Sequence, residues 1–188
     1  MVGLLTMAQL LAFANSVEGP RDPRLRYKLP LAVTVDDFDY NGQREGRRFK
    51  SLMDLGRLLP WMRGKRALAL AKTGWEPHLG AVLSRFARPL DEKQNFRLST
   101  ELVTWDDVWL YFEQCFWVAD QVHATVFCQA RFETAARPVL TEEALALVEI
   151  EDVLPPPPCS EAMREWIDLH GAEAERAWDR ELSRGPGA

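Results

Sequence analysis

The spacing of hydrophobic and polar positions along this 188-residue chain changes several times, and each change marks an element. Leu31-Ala32-Val33-Thr34-Val35 is apolar and β-branched, which predicts a strand. A polar loop, Asp36 to Gly46, follows it. Phe49, Leu52, Met53, Gly56 and Leu59 then recur at the i, i+3, i+4, i+7 spacing of an amphipathic helix, and Pro60 is placed to kink or end it. Ala67 to Lys72 and Gly80 to Phe86 read with period two, as one long strand interrupted by a bulge or bend around Gly74-Trp75-Glu76-Pro77. Asn95 to Trp105 puts Phe96, Leu98 and Leu102 on one face and Arg97, Ser99 and Glu101 on the other. Asp106-Asp107 predicts a tight reversal into Val108 to Val118, which is apolar on both faces and expected to be buried on both. The last strand alternates, with Val122, Ala124, Val126, Cys128, Ala130 and Phe132 inward. One strand, one long helix and an antiparallel meander make an α+β domain.

That domain spans residues 31–135, between an N-terminal part, residues 1–30, and a C-terminal extension, residues 136–188. Met1 to Asn15 reads as a short apolar helix, and Ser16 to Pro30, with Gly19-Pro20 and Asp22-Pro23, as an exposed connector. In the extension, Thr141 to Leu147 predicts a short helix capped by Thr141. Pro155 to Pro158 forms a stiff spacer, and Ser160 caps an extra C-terminal helix with Met163, Trp166, Ile167 and His170 on one side.

Composition narrows the possible functions. With 47% hydrophobic and 27% charged residues the chain has an ordinary globular make-up, and a net charge of −5 leaves no basic footprint for nucleic acid. Three cysteines, none in C-x-x-C spacing, point to a reducing compartment, the cytoplasm. The apolar N-terminal stretch is too short to span a bilayer and lacks a basic leader, so membrane contact is not expected. His78 and His123 stand without partners at ligand spacing, so neither a metal nor another cofactor is expected. Seven tryptophans either fill the core or line an apolar pocket or dimer seam, with core filling favoured.

The polar chemistry is concentrated where the first strand hands over to the helix. Asp37-Phe38-Asp39 is followed ten residues later by Phe49 and then by Met53-Asp54-Leu55-Gly56-Arg57. Together with Thr104-Trp105-Asp106-Asp107, Trp109-Leu110-Tyr111-Phe112-Glu113 and the closing strand Ala124 to Phe132, this resembles the 4-hydroxybenzoyl-CoA thioesterase-like branch of the hotdog superfamily, over Leu31 to Phe132. The resemblance implies a hotdog fold, a long central helix wrapped by an antiparallel sheet. It also implies a hydrolase for an acyl-CoA or a carrier-protein-bound acyl group, assembled as a homodimer with a tetramer left open. The second aspartate of the pair, Asp39, takes the role of nucleophile or general base. Where that branch has His-Met-Asn-Asn, this chain has Gln43-Arg44-Glu45-Gly46. The alternative is therefore a hotdog protein that binds an acyl thioester or hydrophobic product without hydrolysing it, or that catalyses dehydration, decarboxylation or cyclisation in a biosynthetic pathway.

Thioester hydrolysis needs a carboxylate, donors for the developing oxyanion and a dry slot for the acyl group. Asp39 supplies the first. The backbone N–H groups from Asn41 to Arg48, helped by the helix dipole, supply the second, and Gly42 and Gly46 let the backbone approach a ligand. Asn41, Gln43, Arg47 and Arg48 complete the substrate contacts, the arginines facing coenzyme A phosphates. Glu45 is a second acid–base candidate or an exposed partner of Arg44 or Arg48. Trp61 and Trp75, with Trp109 and Trp117, are the candidate slot lining. Asp54 either faces the cleft or forms a polar helix edge bonded to a neighbouring arginine, and the second is favoured.

Overall fold

The structure, a computed structural model, describes residues 27–32, 46–88, 95–149 and 156–170. The chain divides into two compact units, Met1–Pro156 and Pro157–Ala188. In the first unit, strand β1 (Tyr27–Ala32) is followed by helix α1 (Gly46–Leu58), a 3-10 turn (Leu59–Met62) and helix α2 (Lys65–Thr73). Strands β2 (Glu76–Phe86), β3 (Asn95–Trp105), β4 (Leu110–Val118) and β5 (Gln121–Glu133) come next, then helix α3 (Thr141–Ala146). The five strands form one sheet in the order β1-β3-β4-β5-β2, every pair antiparallel.

The meander follows the alternation of its residues. Asp106 makes the reversal between β3 and β4 by accepting the N–H groups of Val108 at 2.9 Å and Trp109 at 2.7 Å and the hydroxyl of Tyr111 at 2.6 Å. Strand β4 is buried on both faces, with Phe112 and Phe116 on one and Tyr111 and Cys115 on the other. On β5, Ala124, Val126, Cys128 and Phe132 are buried as the pattern requires.

Three local readings need correction. The first strand starts at Tyr27, four residues before Leu31, so Tyr27 to Pro30 belongs to the sheet rather than to a connector. Among the described residues β1 pairs only with β3, and an edge strand tolerates the missing N–H of Pro30. Ala67 to Lys72 is helix, not strand. Lys65-Arg66-Ala67-Leu68-Ala69-Leu70-Ala71-Lys72 consists entirely of strong helix formers, and that propensity wins over an alternation of leucine with alanine. Gly74, at φ 66°, is the left-handed end of this helix rather than part of a bulge. The register break of β2 lies further on, between Leu79 and Val82. Third, α3 is preceded by Leu140, not capped by the Thr141 side chain: Glu143 reaches back to accept the Leu140 N–H at 2.9 Å, and Thr141 is itself buried.

Helix α1 crosses one face of the sheet and the two pack unusually close. A Cβ at Gly56 would stand 2.6 Å from Thr100 Oγ1 and 2.8 Å from Gln114 Nε2, so no side chain fits between helix and sheet there. At Pro60 the missing N–H breaks the i→i−4 ladder, and the helix continues as a 3-10 turn that buries Leu59, Trp61 and Met62. Two apolar clusters lie beneath α1 and this turn. One contains Leu59, Met62, Phe96, Leu98, Phe116, Ala124 and Val126. The other contains Trp61, Leu102, Trp105, Leu110, Phe112, Cys128 and Phe132, covered by Val139, Ala144, Leu145 and Val148 around α3.

In the second unit, helix α4 (Glu161–His170) is capped as its sequence predicts, Ser160 Oγ accepting the Met163 N–H at 3.3 Å. Met163 and Trp166 are its buried side chains. His170 stacks on Trp166 with ring centroids 5.5 Å apart.

Candidate active site

A polar seam separates the two apolar clusters. Gln114 lies between Phe112 and Phe116 on the helix-facing side of β4, opposite Thr100 of β3, and has no exposed surface. Its amide is fully engaged: Nε2 donates to the Met53 carbonyl at 3.0 Å and to Thr100 Oγ1 at 2.9 Å, and Oε1 accepts from Arg57 Nη1 at 2.9 Å. Arg57 is 4% exposed, deep for a guanidinium. Besides Gln114 it donates to Cys128 Sγ at 3.4 Å and, through Nη2, to Asp54 Oδ1. Burial of an unpaired guanidinium costs several kcal/mol (roughly), which explains why every partner here is an acceptor. Burial pushes the Cys128 thiol up from its ordinary range and Arg57 beside it opposes this; the balance is upward, so the thiol stays protonated at neutral pH.

The Arg57–Asp54 end of the seam borders a cavity of about 420 Å³. Asp54, Arg57 and Leu58 border it from the helix, Trp61 from the turn, Pro77, His78 and Leu79 from β2, and Leu110, Phe112, Ala130, Arg131 and Phe132 from β4 and β5. Apart from the seam, His78 and Arg131 the lining is apolar, and the volume is in the range of small-molecule sites. The Asp54 side chain is 42% exposed, so this ion pair runs from a buried guanidinium to an accessible carboxylate at the cavity.

Several of the predicted site residues lie outside the described residues: Asp39, Asn41, Gly42, Gln43 and Glu45. Gly46, read from the sequence as the end of the polar loop, is the first residue of α1, and Arg47 and Arg48 fall in its first turn. Of the predicted slot residues, Trp61 lines the cavity, its Nε1–H donating to the Ala144 carbonyl at 2.8 Å. Trp75 packs on Phe132, ring centroids 5.8 Å apart, outside the lining. Trp117 is on the opposite face of the sheet, donating to Ser99 Oγ at 2.9 Å, and Trp109 lies 4.1 Å beneath the Arg131 guanidinium. Asp54 satisfies both of its alternatives at once, bonded to Arg57 and lining the cavity. Gln114, Thr100 and Cys128 gave no local signal, because their partners lie between 14 and 71 residues away in sequence. Among the described residues no group of three or more His, Cys, Asp or Glu is placed to hold a metal ion, and no helix is long and apolar enough to cross a membrane.

A five-stranded antiparallel sheet ordered β1-β3-β4-β5-β2 around one long helix is the hotdog fold, and this chain has it. Its similarity to solved structures is one of fold. A probable thioesterase from Bartonella henselae matches 62% of this chain and 98% of its own length at 14% identity, with a TM-score of 0.53. A gentisyl-coenzyme A thioesterase matches 64% of this chain and 99% of its own at 15% identity and a TM-score of 0.54. A Staphylococcus aureus protein solved in complex with CoA matches 73% and 91% at 11% identity, with a TM-score of 0.57. No protein-family model and no curated protein matches the sequence.

Proposed function

We propose that this chain is an acyl-thioester hydrolase that seats the acyl group of an acyl-CoA or acyl carrier protein in the cavity beside Asp54. The observation that carries the proposal is an accessible carboxylate at the wall of an apolar cavity, held by a buried arginine. Water attacks the thioester carbon, a carboxylate takes its proton, and collapse releases a carboxylic acid and a free thiol. Arg57 places positive charge at the same wall, where the oxyanion develops.

Two carboxylates compete for the proton-accepting role. Asp39, with the loop amides from Asn41 to Arg48 as oxyanion donors, follows from the resemblance, with Glu45 as its acid–base companion. Asp54 follows from the cavity. Gly46 and Asp54 are eight residues apart, about 12 Å along a helix, so the helix-start donors and Asp54 of one chain do not meet at one carbonyl. The cavity favours Asp54.

The site also lies at the sheet edge, since β2 contributes Pro77, His78 and Leu79 to it and has no strand on its other side among the described residues. An open edge of 11 residues favours pairing with a second copy, so a homodimer belongs to the proposal. Cys115, Cys128 and Cys159 are unbridged, in keeping with a cytoplasmic location.

Thiol release across a panel of acyl-CoAs tests the hydrolase. Asp54→Asn is expected to lower kcat by about 100-fold or more. Loss with Asp39→Ala and none with Asp54→Asn moves the chemistry to the loop, and no turnover of any thioester removes it altogether. The second class, an acyl-binding protein without hydrolysis, is favoured by one observation. Arg57 engages Asp54, so Oδ1 of that carboxylate is already committed to a hydrogen bond inside the protein. Tight acyl-CoA binding with no thiol released selects it.

A further inference from the structure

We propose that Gln114 is a positioning residue, which through Arg57 fixes the Asp54 carboxylate at the cavity wall. The inference rests on the proposal that Asp54 acts on a ligand in that cavity. A fully buried amide in the middle of an aromatic row is costly, because each of its polar atoms must be satisfied inside the protein. An apolar side chain between Phe112 and Phe116 would fuse the two clusters into one continuous core. The chain instead places there a residue whose two amide hydrogens and carbonyl oxygen are all engaged. The order of contacts runs from Thr100 through Gln114 and Arg57 to Asp54, from the centre of the sheet to the cavity. Three members of that series are buried, the last two, Arg57 and Asp54, line the cavity, and Asp54 is the exposed one. Arginine carries a planar fork whose two amino groups are fixed relative to each other. Once Gln114 Oε1 and Cys128 Sγ hold Nη1, the direction in which Nη2 presents itself to Asp54 is set. Gln114 also bonds the Met53 carbonyl, so the same amide fixes the turn of α1 that carries Asp54.

The alternative is that Gln114 only pins the helix to the sheet. Its two halves separate the cases: the oxygen serves Arg57, while the NH₂ serves Met53 and Thr100. Gln114→Met removes both. Gln114→Glu keeps an acceptor for Arg57 and discards the donors. The probes are benzoyl-CoA and octanoyl-CoA, followed by thiol release. In parallel, the side-chain nitrogen-15 NMR signals of Arg57 report whether its two amino groups are held or rotate freely. Gln114→Met is expected to lower kcat by about 10- to 100-fold with KM changed by less than about twofold, and to average the Arg57 signals. Gln114→Glu is expected to recover most of the rate and the resolved signals. Should Gln114→Met not fold, Gln114→Asn keeps the amide but draws it back by one methylene, and carries the same expectation. Unchanged kcat in Gln114→Met, or Gln114→Glu as impaired as Gln114→Met, overturns the positioning role while leaving hydrolysis intact. If the wild-type protein cleaves neither thioester, the hydrolase proposal fails by itself. The Arg57 signals then decide the positioning role, with averaging in Gln114→Met supporting it and no change overturning it.

Discussion

The two halves of the core beneath α1 are built from the same helix and the same three central strands, yet one is filled and the other holds a cavity. In the filled half, Phe96, Leu98, Phe116, Ala124 and Val126 meet Leu59 and Met62, and the Phe96 and Phe116 rings lie 5.6 Å apart. In the hollow half, Trp61, Phe112 and Phe132 are as large and as buried, but they stand around about 420 Å³ of space. Residue size therefore does not distinguish the halves. The backbone does: β2, whose Pro77, His78 and Leu79 border the cavity, shifts register between Leu79 and Val82 along the edge of the hollow half. The polar seam of Thr100, Gln114 and Arg57 lies between the halves, so one can stay open without loosening the other. A close-packed core leaves few voids larger than a water molecule, and the volume here, beside a charged pair, is in the range of small-molecule sites.

The most severe way to break this comparison is to remove a ring from each half. Phe116→Ala is expected to destabilise the protein by about 3–5 kcal/mol in denaturant unfolding, with KM for an acyl-CoA unaltered. Phe112→Ala, whose ring already borders open space, is expected to cost less and to shift acyl preference toward bulkier groups. Equal stability losses with no change in preference would erase the distinction between the halves.

Some of this architecture was legible in the sequence and some was not. The alternation of β3 and β5, the period of α1 and the turn at Asp106 are local patterns, and local patterns give local elements. The α2 helix was misread because leucine and alanine alternate in it, although alanine carries no real preference for a strand face; the propensity of the whole segment was the better guide. The i, i+3 pairing of Asp54 with Arg57 was foreseeable from the helix alone. The cavity was not, because it is defined by β2, β4 and β5 closing on a turn far away in sequence. Gln114 was hidden for the same reason. The polar pair Glu113 and Gln114 within Leu110 to Val118 looks like an interruption until Arg57 and Thr100 are brought beside Gln114.

A smaller effect concerns the cover of the hollow half. Glu143 is held down to about 2 by the guanidinium of Arg137, reinforced by the Leu140 N–H, and this clamp sets the start of α3, whose Ala144 carbonyl receives Trp61. Because the folded value lies below the ordinary value of 4.5, the contribution is fully present above that value. It is lost as pH falls through about 2. The clamp is solvent-exposed and screened, so the expected change is local: faster amide hydrogen exchange at Leu140 and in α3 on acidification, with the filled half unaffected. Exchange rising equally in both halves would mean that the cover is not a separate unit.

The central claim is that the cavity beside Asp54 receives the acyl group. Leu79 lines it from the edge strand, and Leu79→Trp fills part of it without touching the seam. Steady-state hydrolysis of acetyl-, octanoyl- and benzoyl-CoA by the wild-type protein and this variant is the most direct measurement. The predicted result is a rise in KM of about tenfold or more for the octanoyl and benzoyl thioesters, with the acetyl thioester little changed. Equal kinetic constants for all three in both proteins would contradict it.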